Sequence, residues 1–375
     1  MGKYLADLHN HSCLSPCGDL SMSPRLLARQ AKARGVDILG LSDHNAAHNC
    51  LPFALACARE GLVPLFGLEL CSTEEVHLLA VFSSPRKALE FGSRILANLP
   101  RFPGATSYTA ATSHTGATSY TGATSYTAAT SHTATTSNSA AKSNPGDIRS
   151  PAAEGIFGDQ AVVDDEEAVL CLEETWFGAA LSLDFGALAE LASASGALVI
   201  PAHVDRPMFS VQSQLGFLPP GPYDAIEAVR PPVPAFLSRG LGVVTGSDAH
   251  FPEHIGRRPF ALELPDQPVR ALKARLAEFA ADSTAAAATP TSTIGAAQAP
   301  EVSAVRAVAQ APEVSAVRAA AQAPGVSASA AEAEYRGYEG LFKDRRVGKY
   351  PEDEAEEFLG CVRRALAGLT NGLRG

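Results

Sequence analysis

Histidines and acidic residues recur at the ends of predicted strands along this 375-residue chain. Two of its ten histidines belong to a hexad repeat, and six of the remaining eight lie at or just after the carboxyl end of a predicted strand. Barrel enzymes place their active sites at the rim where such strand ends meet. Imidazoles favour zinc, iron or manganese, and carboxylates offset the cationic charge and can bridge two ions. The joint pattern therefore predicts a multinuclear metal site.

The first two segments are ambiguous when each is read alone. His9 and His11 in DLHNHS alternate by two, so they point to the same side of an extended strand end. A pair of exposed or internally bonded histidines fits that spacing equally well. His44 in SDHN follows the apolar segment DILGL, but Asp43 or Asn45 could instead cap a helix there. These segments support a metal site only in combination with the others.

Glu69 is the strongest single signal, because a carboxylate in the apolar segment GLEL is costly unless it is paired, protonated or bound to metal. His77 lies in EVHLLAVF, where a core histidine bonded to a backbone carbonyl is the alternative. His203 follows the predicted strand ALVIPA. Asp248 and His250 in SDAH repeat the two-residue spacing of the first histidine pair. Together these segments would form a dense polar cluster that requires cations.

The elements that must position these residues alternate between strand and helix. Predicted strands span Tyr4–Leu8, Asp37–Ser42, Val63–Leu70, Val76–Phe82, Ala197–Ala202, Ala225–Val229 and Gly242–Gly246, and Phe260–Leu264 is a short apolar run. Predicted helices span Pro24–Arg34, Ala47–Glu60, Asp184–Ser193 and Pro268–Ala281. Such alternation indicates parallel βα units. A closed or nearly closed barrel is the favoured α/β architecture, and a doubly wound open sheet is the alternative.

The ordered segments DLHNHSCLSPCGDLSMSP, GLSDHN, GLEL, EEVHLLAVF, PAHVDRP and SDAH resemble the PHP family, named for polymerase and histidinol phosphatase. The similarity covers roughly Lys3 to Ala281 without the hexad insertion. It implies a distorted (β/α)7 TIM-like barrel that holds two or three divalent ions, which would be manganese, zinc or iron.

The resemblance also implies nine metal ligands. They are His9, His11, Asp19, His44, Glu69, His77, His203, Asp248 and His250. The first metal would take the H-x-H pair with Glu69 and Asp248, and the second would share Glu69 and add His77 and His203. The third would take His44, His250 and a residue of the loop after H-x-H, for which Asp19 is the candidate. Asp19 could instead be a turn residue after Gly18.

The implied activity is hydrolysis of a phosphate mono- or diester, in which a water bridging two metals is deprotonated and attacks phosphorus in line. Arg206 would hold phosphoryl oxygens with its planar fork, or would instead pair with Asp205 at the surface. His254 would protonate the leaving group, or would be only a solvated loop histidine. Asp7 and Asp43 would orient ligand imidazoles.

The charge balance limits the partners. A formal net charge of −10 and a pI near 5.5 disfavour sequence-independent binding to nucleic acid, which needs a basic face. A small phosphorylated substrate is therefore favoured. The enzymatic alternative is a nuclease that acts on nucleic acid. The non-enzymatic alternative is a binding domain in which the metal ions only stabilise the fold. The sequence has no apolar run long enough to span a membrane and no apolar region typical of a signal peptide, so a cytoplasmic protein is expected.

Two repetitive segments interrupt the predicted elements. Residues 105–134 repeat a unit such as ATSYTA five times, and this composition predicts a disordered insertion over 105–150, which removes His114 and His132 from the ligand candidates. Residues 282–331 are rich in Ala and Pro, with a twelve-residue period that predicts a linker.

The predicted domain is therefore 1–281, and a C-terminal tail follows the linker over 332–375. Within the tail, Pro351–Leu369 is predicted to form an amphipathic helix. Its apolar side would consist of Phe358, Val362, Leu366 and Leu369.

Overall fold

The computed structural model describes residues 1–100, 159–173, 175–288 and 349–369. The hexad repeat, with His114 and His132, and the twelve-residue repeat lie outside these residues. The predicted insertion and linker therefore stay predictions.

The chain forms a mixed α/β structure with ten strands in its described part. They are β1 (Gly2–Asp7), β2 (Ile38–His44), β3 (Val63–Cys71), β4 (His77–Phe82), β5 (Ala161–Val163), β6 (Val169–Leu172), β7 (Leu198–Pro201), β8 (Ile226–Glu227), β9 (Val243–Val244) and β10 (Phe260–Leu264). Six of them form one curled sheet in the order β10-β1-β2-β3-β4-β7. Every residue of β2, β3 and β4 is buried, so these strands form the centre of the core.

The strand directions confirm the parallel prediction for only part of the sheet. β1, β2 and β3 are parallel neighbours. β4 is antiparallel to both β3 and β7, and β10 is antiparallel to β1, so the prediction of parallel units is wrong at these pairs. The physical reason at β4 is the short connection 72–76, because parallel neighbours need a crossover of a dozen or more residues.

Short strands link the two ends of the sheet. β8 and β9 form a separate parallel pair. Val204 donates its backbone N–H to the carbonyl of Glu227, which joins the segment after β7 to this pair. The backbone N–H of Asp248 donates to the carbonyl of His9, and the backbone N–H of His11 donates to the carbonyl of Ala249. The segment after β9 therefore returns to the end of β1. The sheet is a half-barrel with these bonds across its opening, and a closed (β/α)7 barrel remains a prediction.

Helices cover the sheet. They are α1 (Pro24–Ala33), α2 (Cys50–Glu60), α3 (Pro85–Ile95), α4 (Phe185–Ala194), α5 (Val211–Gln214), α6 (Ala235–Ser238), α7 (Asp266–Ala288) and α8 (Glu352–Leu369). α1 begins where the Ser23 side chain accepts from the Leu26 N–H, and Pro24 fits its first turn. α2 ends at Gly61, whose φ of 69° favours glycine. No helix of the described residues is long and apolar enough to cross a membrane.

The C-terminal helix α8 forms as predicted and packs against α7 and β10. Its predicted apolar side buries Phe358, Val362 and Leu366 in the main core. Arg363 pairs with Asp224 at 3.0 Å, which fixes the helix to a loop of the sheet domain. The helix is thus part of the same packed unit as the sheet, although a long stretch of sequence separates the two.

Candidate metal centre

Glu69 on β3 lies at the centre of the predicted cluster and is 1% exposed. Five of the six strand-end histidines place a ring nitrogen within 3.3 Å of its carboxylate; they are His9, His11, His44, His77 and His203. The sixth, His250, has Nδ1 3.4 Å from Oδ1 of Asp248. The structure therefore brings together eight of the nine residues named as ligands. His77 is the first residue of the antiparallel strand β4, so it reaches the cluster from the amino end of a strand and not from the predicted carboxyl end.

Three groups of side chains have potential ligand atoms within 4.8 Å of one another. The first is His9, His11, Glu69 and Asp248, the second is His11, His44 and His250, and the third is His44, Glu69 and His77. The first coincides with the ligand set that the resemblance implies for one metal. The other two overlap the implied sets, but each contains a histidine that the resemblance assigned elsewhere.

The first group has the chemistry of a divalent cation site. Four of its side-chain atoms are buried without a hydrogen-bond partner among the described residues: Nε2 of His9, Nε2 of His11, Oε2 of Glu69 and Oδ1 of Asp248. An unpaired buried polar atom is costly, and four of them facing one another are explained by a ligand that accepts lone pairs. Two imidazole nitrogens and two carboxylate oxygens suit zinc, manganese or iron, so the residues present fit a metal ion.

Hydrogen bonds on the far side of two rings set the tautomers that metal binding needs. Nδ1 of His9 lies 2.7 Å from Oε2 of Glu227, so the carboxylate accepts its proton and Nε2 keeps a free lone pair. Nδ1 of His11 lies 3.0 Å from the Ser15 hydroxyl, which itself donates to Oδ1 of Asp43 at 2.7 Å. The Asp43 carboxylate therefore acts on His11 through Ser15.

Two backbone features bring the ligand loops close to one another. A Cβ added at Gly246 would lie 2.8 Å from Cβ of His9 and 2.9 Å from Cδ of Glu227, so only glycine allows that approach. Asp7 accepts hydrogen bonds from the backbone N–H groups of Ser247 and Gly256. Asp7 thus orients the loop that carries Asp248, whereas the sequence interpretation had it orienting an imidazole.

His203 and Asp248 have positive φ angles of 30° and 48°. Non-glycine residues rarely adopt this conformation, and it is concentrated at functional sites where the surroundings impose it. His203 lies two residues after β7 and Asp248 four residues after β9, and in this conformation both side chains reach the cluster.

The charges in the cluster are mutually dependent. Burial by itself raises the pKa of Glu69, but the imidazoles of His77 and His9 hold it well below its usual range. Burial lowers the pKa of His77, and the Glu69 carboxylate overcomes this and raises it to about 10. Burial lowers the pKa of His250 to about 4 and that of His44 well below its usual value. The last two rings therefore stay neutral, as a metal ligand must.

Asp19 lies apart from the cluster. Its carboxylate is exposed and accepts hydrogen bonds from the backbone N–H and the hydroxyl of Ser21. Only its backbone N–H reaches the site, where it donates to the carbonyl of His250. The Asp19 carboxylate therefore lies outside the groups of side chains that the structure brings together, and its assignment as a third-metal ligand stays a prediction.

Arg206 and His254 have different surroundings. Arg206 donates from Nη1 to Oδ2 of Asp248 at 2.7 Å, so it borders the first group. Its alternative partner Asp205 instead accepts from the backbone of Val229 and Arg230. His254 ends a 3-10 turn, half-buried, with its ring 5.6 Å from that of Phe251.

Glu227 and Ser15 are the site residues that the sequence analysis missed. Glu227 occupies a buried strand of only two residues, and its 1% exposure was hidden in the unremarkable segment DAIEAV. The available signal was the one that identified Glu69, a carboxylate within an apolar segment. Ser15 had no such signal, because a loop serine is common and its partners come from distant segments.

Comparisons with known proteins agree with the sequence resemblance. The PHP domain family model matches residues 7–137. No curated protein matches the chain.

Three solved structures are similar at low identity. An Endonuclease Q in complex with a 27-mer duplex that carries an abasic lesion is 15% identical, with a TM-score of 0.39 over 72% of this chain and 57% of that one. The lesion-specific endonuclease of Pyrococcus furiosus is 12% identical, with a TM-score of 0.40 over 98% and 91%. A Bifidobacterium adolescentis protein described as a candidate metal-dependent phosphoesterase is 16% identical, with a TM-score of 0.36 over 66% and 87%. These scores assign no substrate to this chain.

Proposed function

We propose that this chain, which carries a PHP domain, is a metal-dependent phosphoesterase that hydrolyses a phosphate mono- or diester. One observation carries the proposal. Four ligand-type atoms of His9, His11, Glu69 and Asp248 face one another in a buried cluster and have no hydrogen-bond partner among the described residues. Divalent ions held there supply Lewis acidity and activate water near neutral pH.

The contacts support three ligand sets in this proposal. The first set is His9, His11, Glu69 and Asp248. We assign His77 and His203 to a second set that shares Glu69, because their ring nitrogens lie 2.7 and 2.9 Å from Oε1 of Glu69. His44 and His250 belong to a third set together with His11, in place of Asp19. In this proposal the β8–β9 pair closes the six-stranded sheet into a distorted TIM-like barrel.

Two other residues act on the substrate in this proposal. Arg206 reaches the cluster edge, where its planar guanidinium matches the geometry of phosphoryl oxygens and stabilises charge that develops in the transition state. His254 is the candidate proton donor to the leaving group, since it is half-buried on the same loop as His250. The favoured substrate is a small phosphorylated molecule, because the chain carries a net charge of −10.

The experiment measures metal content and turnover on the same samples. Purified protein is analysed for manganese, zinc and iron, and is then assayed with p-nitrophenyl phosphate, bis-p-nitrophenyl phosphate and a single-stranded oligonucleotide. We expect bound metal and hydrolysis of at least one ester. In Asp248→Asn, which removes a charged ligand, we expect loss of metal and a rate at least about 100-fold lower.

Asp353→Asn provides the matched control, because Asp353 is exposed in the first turn of α8 and far along the chain from the cluster. It should retain both metal and rate. Hydrolysis of the oligonucleotide alone would favour the nuclease alternative. Metal-loaded protein without turnover on any ester would contradict the proposal and would favour a site in which the metals only stabilise the fold.

A further inference from the structure

Two adjacent arginines converge on the backbone beside the metal cluster. Nε of Arg257 donates to the carbonyl of Ser247 at 2.8 Å, and Nη2 of Arg258 donates to the same oxygen at 3.3 Å. Ser247 directly precedes Asp248, one of the proposed ligands. The backbone N–H of Arg258 also donates to the Ser247 hydroxyl at 3.1 Å, so the loop is held against the ligand segment by both residues.

The positive charge of this pair is not matched by a carboxylate. Within the described residues, neither guanidinium forms an ion pair. The carboxylates of Asp248 and Asp7 act on Arg257 electrostatically, but both already have other partners, since Asp7 accepts from two backbone N–H groups and Asp248 accepts from Arg206. Two like charges on one neutral carbonyl are unfavourable in isolation, and an anion would stabilise them.

Donors remain available on Arg257, because only its Nε forms a hydrogen bond in the described structure. Nε of Arg258 has no hydrogen-bond partner there, but it is buried and therefore out of reach of a ligand. The Arg257 side chain is accessible, because that residue is exposed. Partial burial, followed by the neighbouring Arg258 guanidinium, lowers the pKa of Arg257, which agrees with a crowded cationic site.

We infer that Arg257 and Arg258 form a subsite for a second phosphate group of the substrate, next to the metal cluster that would bind the phosphate to be cleaved. The inference rests on the proposed function for the cleaved phosphate, but the subsite itself uses only arginine donors. A phosphate offers several acceptor oxygens to two guanidinium forks, which makes it a better match than a single carbonyl. The favoured substrates are therefore small molecules that carry two phosphates.

The subsite is tested by binding, independently of turnover. Calorimetry on the purified protein compares propyl phosphate with propane-1,3-diyl bisphosphate, which differ only in the second phosphate. We expect the bisphosphate to bind at least about tenfold more tightly, as one charge-assisted bidentate contact provides. In the variant carrying Arg257→Gln and Arg258→Gln, this advantage should disappear while propyl phosphate binding is kept.

Controls separate charge, folding and function. Arg270→Gln removes an exposed arginine of α7 and should keep the advantage. Arg257→Met alone leaves Arg258 on the Ser247 carbonyl, so it serves if the double variant does not fold, and it should reduce the advantage. Equal binding of the two ligands by the wild type, or an unchanged advantage in Arg257→Met, would overturn the inference. A binding advantage without any hydrolysis would uphold the subsite and contradict only the phosphoesterase proposal.

Discussion

The Glu227 carboxylate lies 2.7 Å from Nδ1 of His9, and both side chains are almost completely buried. This contact holds the imidazole with its Nε2 lone pair toward Glu69 and Asp248. Gly246 makes the contact possible, since a side chain there would meet both residues. Glu227 is thus a positioning residue that acts through His9.

Replacement of Glu227 by Ala is therefore expected to weaken metal binding about 10- to 100-fold, as is typical when a carboxylate behind a ligand imidazole is removed. Glu227→Gln should have a smaller effect, because its amide oxygen still accepts from Nδ1. Metal titration of both variants checks the order, and Glu190→Gln on the exposed face of α4 is the control. Equal affinities in Glu227→Ala and the wild type would exclude this role.

Asp19→Asn should leave the metal content unchanged. Its carboxylate is exposed and bonded to Ser21, so the variant loses only part of a turn. Elemental analysis compares the metal content of this variant with that of Asp248→Asn, for which loss of metal is expected. If Asp19→Asn lost one metal equivalent, the loop would have to rearrange on metal binding and Asp19 would be a ligand after all.

Much of the fold was predictable from local patterns. The strand at Val63–Cys71 and the helix at Cys50–Glu60 correspond closely to their predicted spans, because long apolar segments and glycine ends are local signals. The helix Pro85–Ile95 was missed, although its proline and the Ser84 cap were signals in the sequence. The antiparallel direction of β4 also escaped prediction, since strand pairing depends on partners distant in sequence.

The site was predictable where the type of a residue and its position in the sequence indicate a metal ligand. Six histidines, the buried Glu69 and Asp248 in SDAH are the eight predicted residues that the structure brings together. The Asp19 carboxylate is not among them, because the sequence of a loop does not reveal where its side chain points. Ser15 and Glu227 are identified only by three-dimensional contacts, since neither stands in a motif that implies a bond to a particular imidazole.

Ser15→Ala tests the hydrogen-bond chain behind His11. The Ser15 hydroxyl accepts from the His44 backbone N–H, contacts Nδ1 of His11 and donates to Asp43, and all these groups are buried. Its removal leaves buried partners unsatisfied, so we expect a loss of about 1–3 kcal/mol in the free energy of unfolding. Weaker metal binding should accompany it, because the His11 tautomer is no longer fixed. Denaturant titration and metal titration measure the two effects, and Ser93→Ala on α3 is an exposed control.

Arg206→Gln should reduce kcat/KM for a phosphoester about 10- to 100-fold, because a neutral side chain cannot stabilise developing negative charge. Arg206→Lys should recover only part of the rate, since its point charge lacks the planar fork. Steady-state kinetics at fixed metal content checks this prediction. Metal analysis of the same variants shows whether the contact between Arg206 and Asp248 is needed for metal loading. An unchanged kcat/KM in Arg206→Gln would restrict this arginine to a structural ion pair.

His48 gives the fold a pH dependence that is separate from the metal ligands. It is 1% exposed, its ring lies 5.3 Å from that of Phe177, and burial lowers its pKa from 6.5 to about 3. Between these values the unfolded chain binds a proton that the folded chain does not, so His48 destabilises the fold increasingly as pH falls below 6.5. The slope contributed is up to about 1.4 kcal/mol per pH unit.

His48→Gln removes this titration. Its free energy of unfolding, measured by denaturant titration at pH 7.5, 6 and 5, should fall less steeply toward acid than that of the wild type. A constant offset between the two proteins reports lost packing against Phe177, and only the change of that offset with pH reports the imidazole. An offset that stays the same at all three pH values would mean that His48 has the same pKa in the folded and the unfolded chain, which would contradict this prediction.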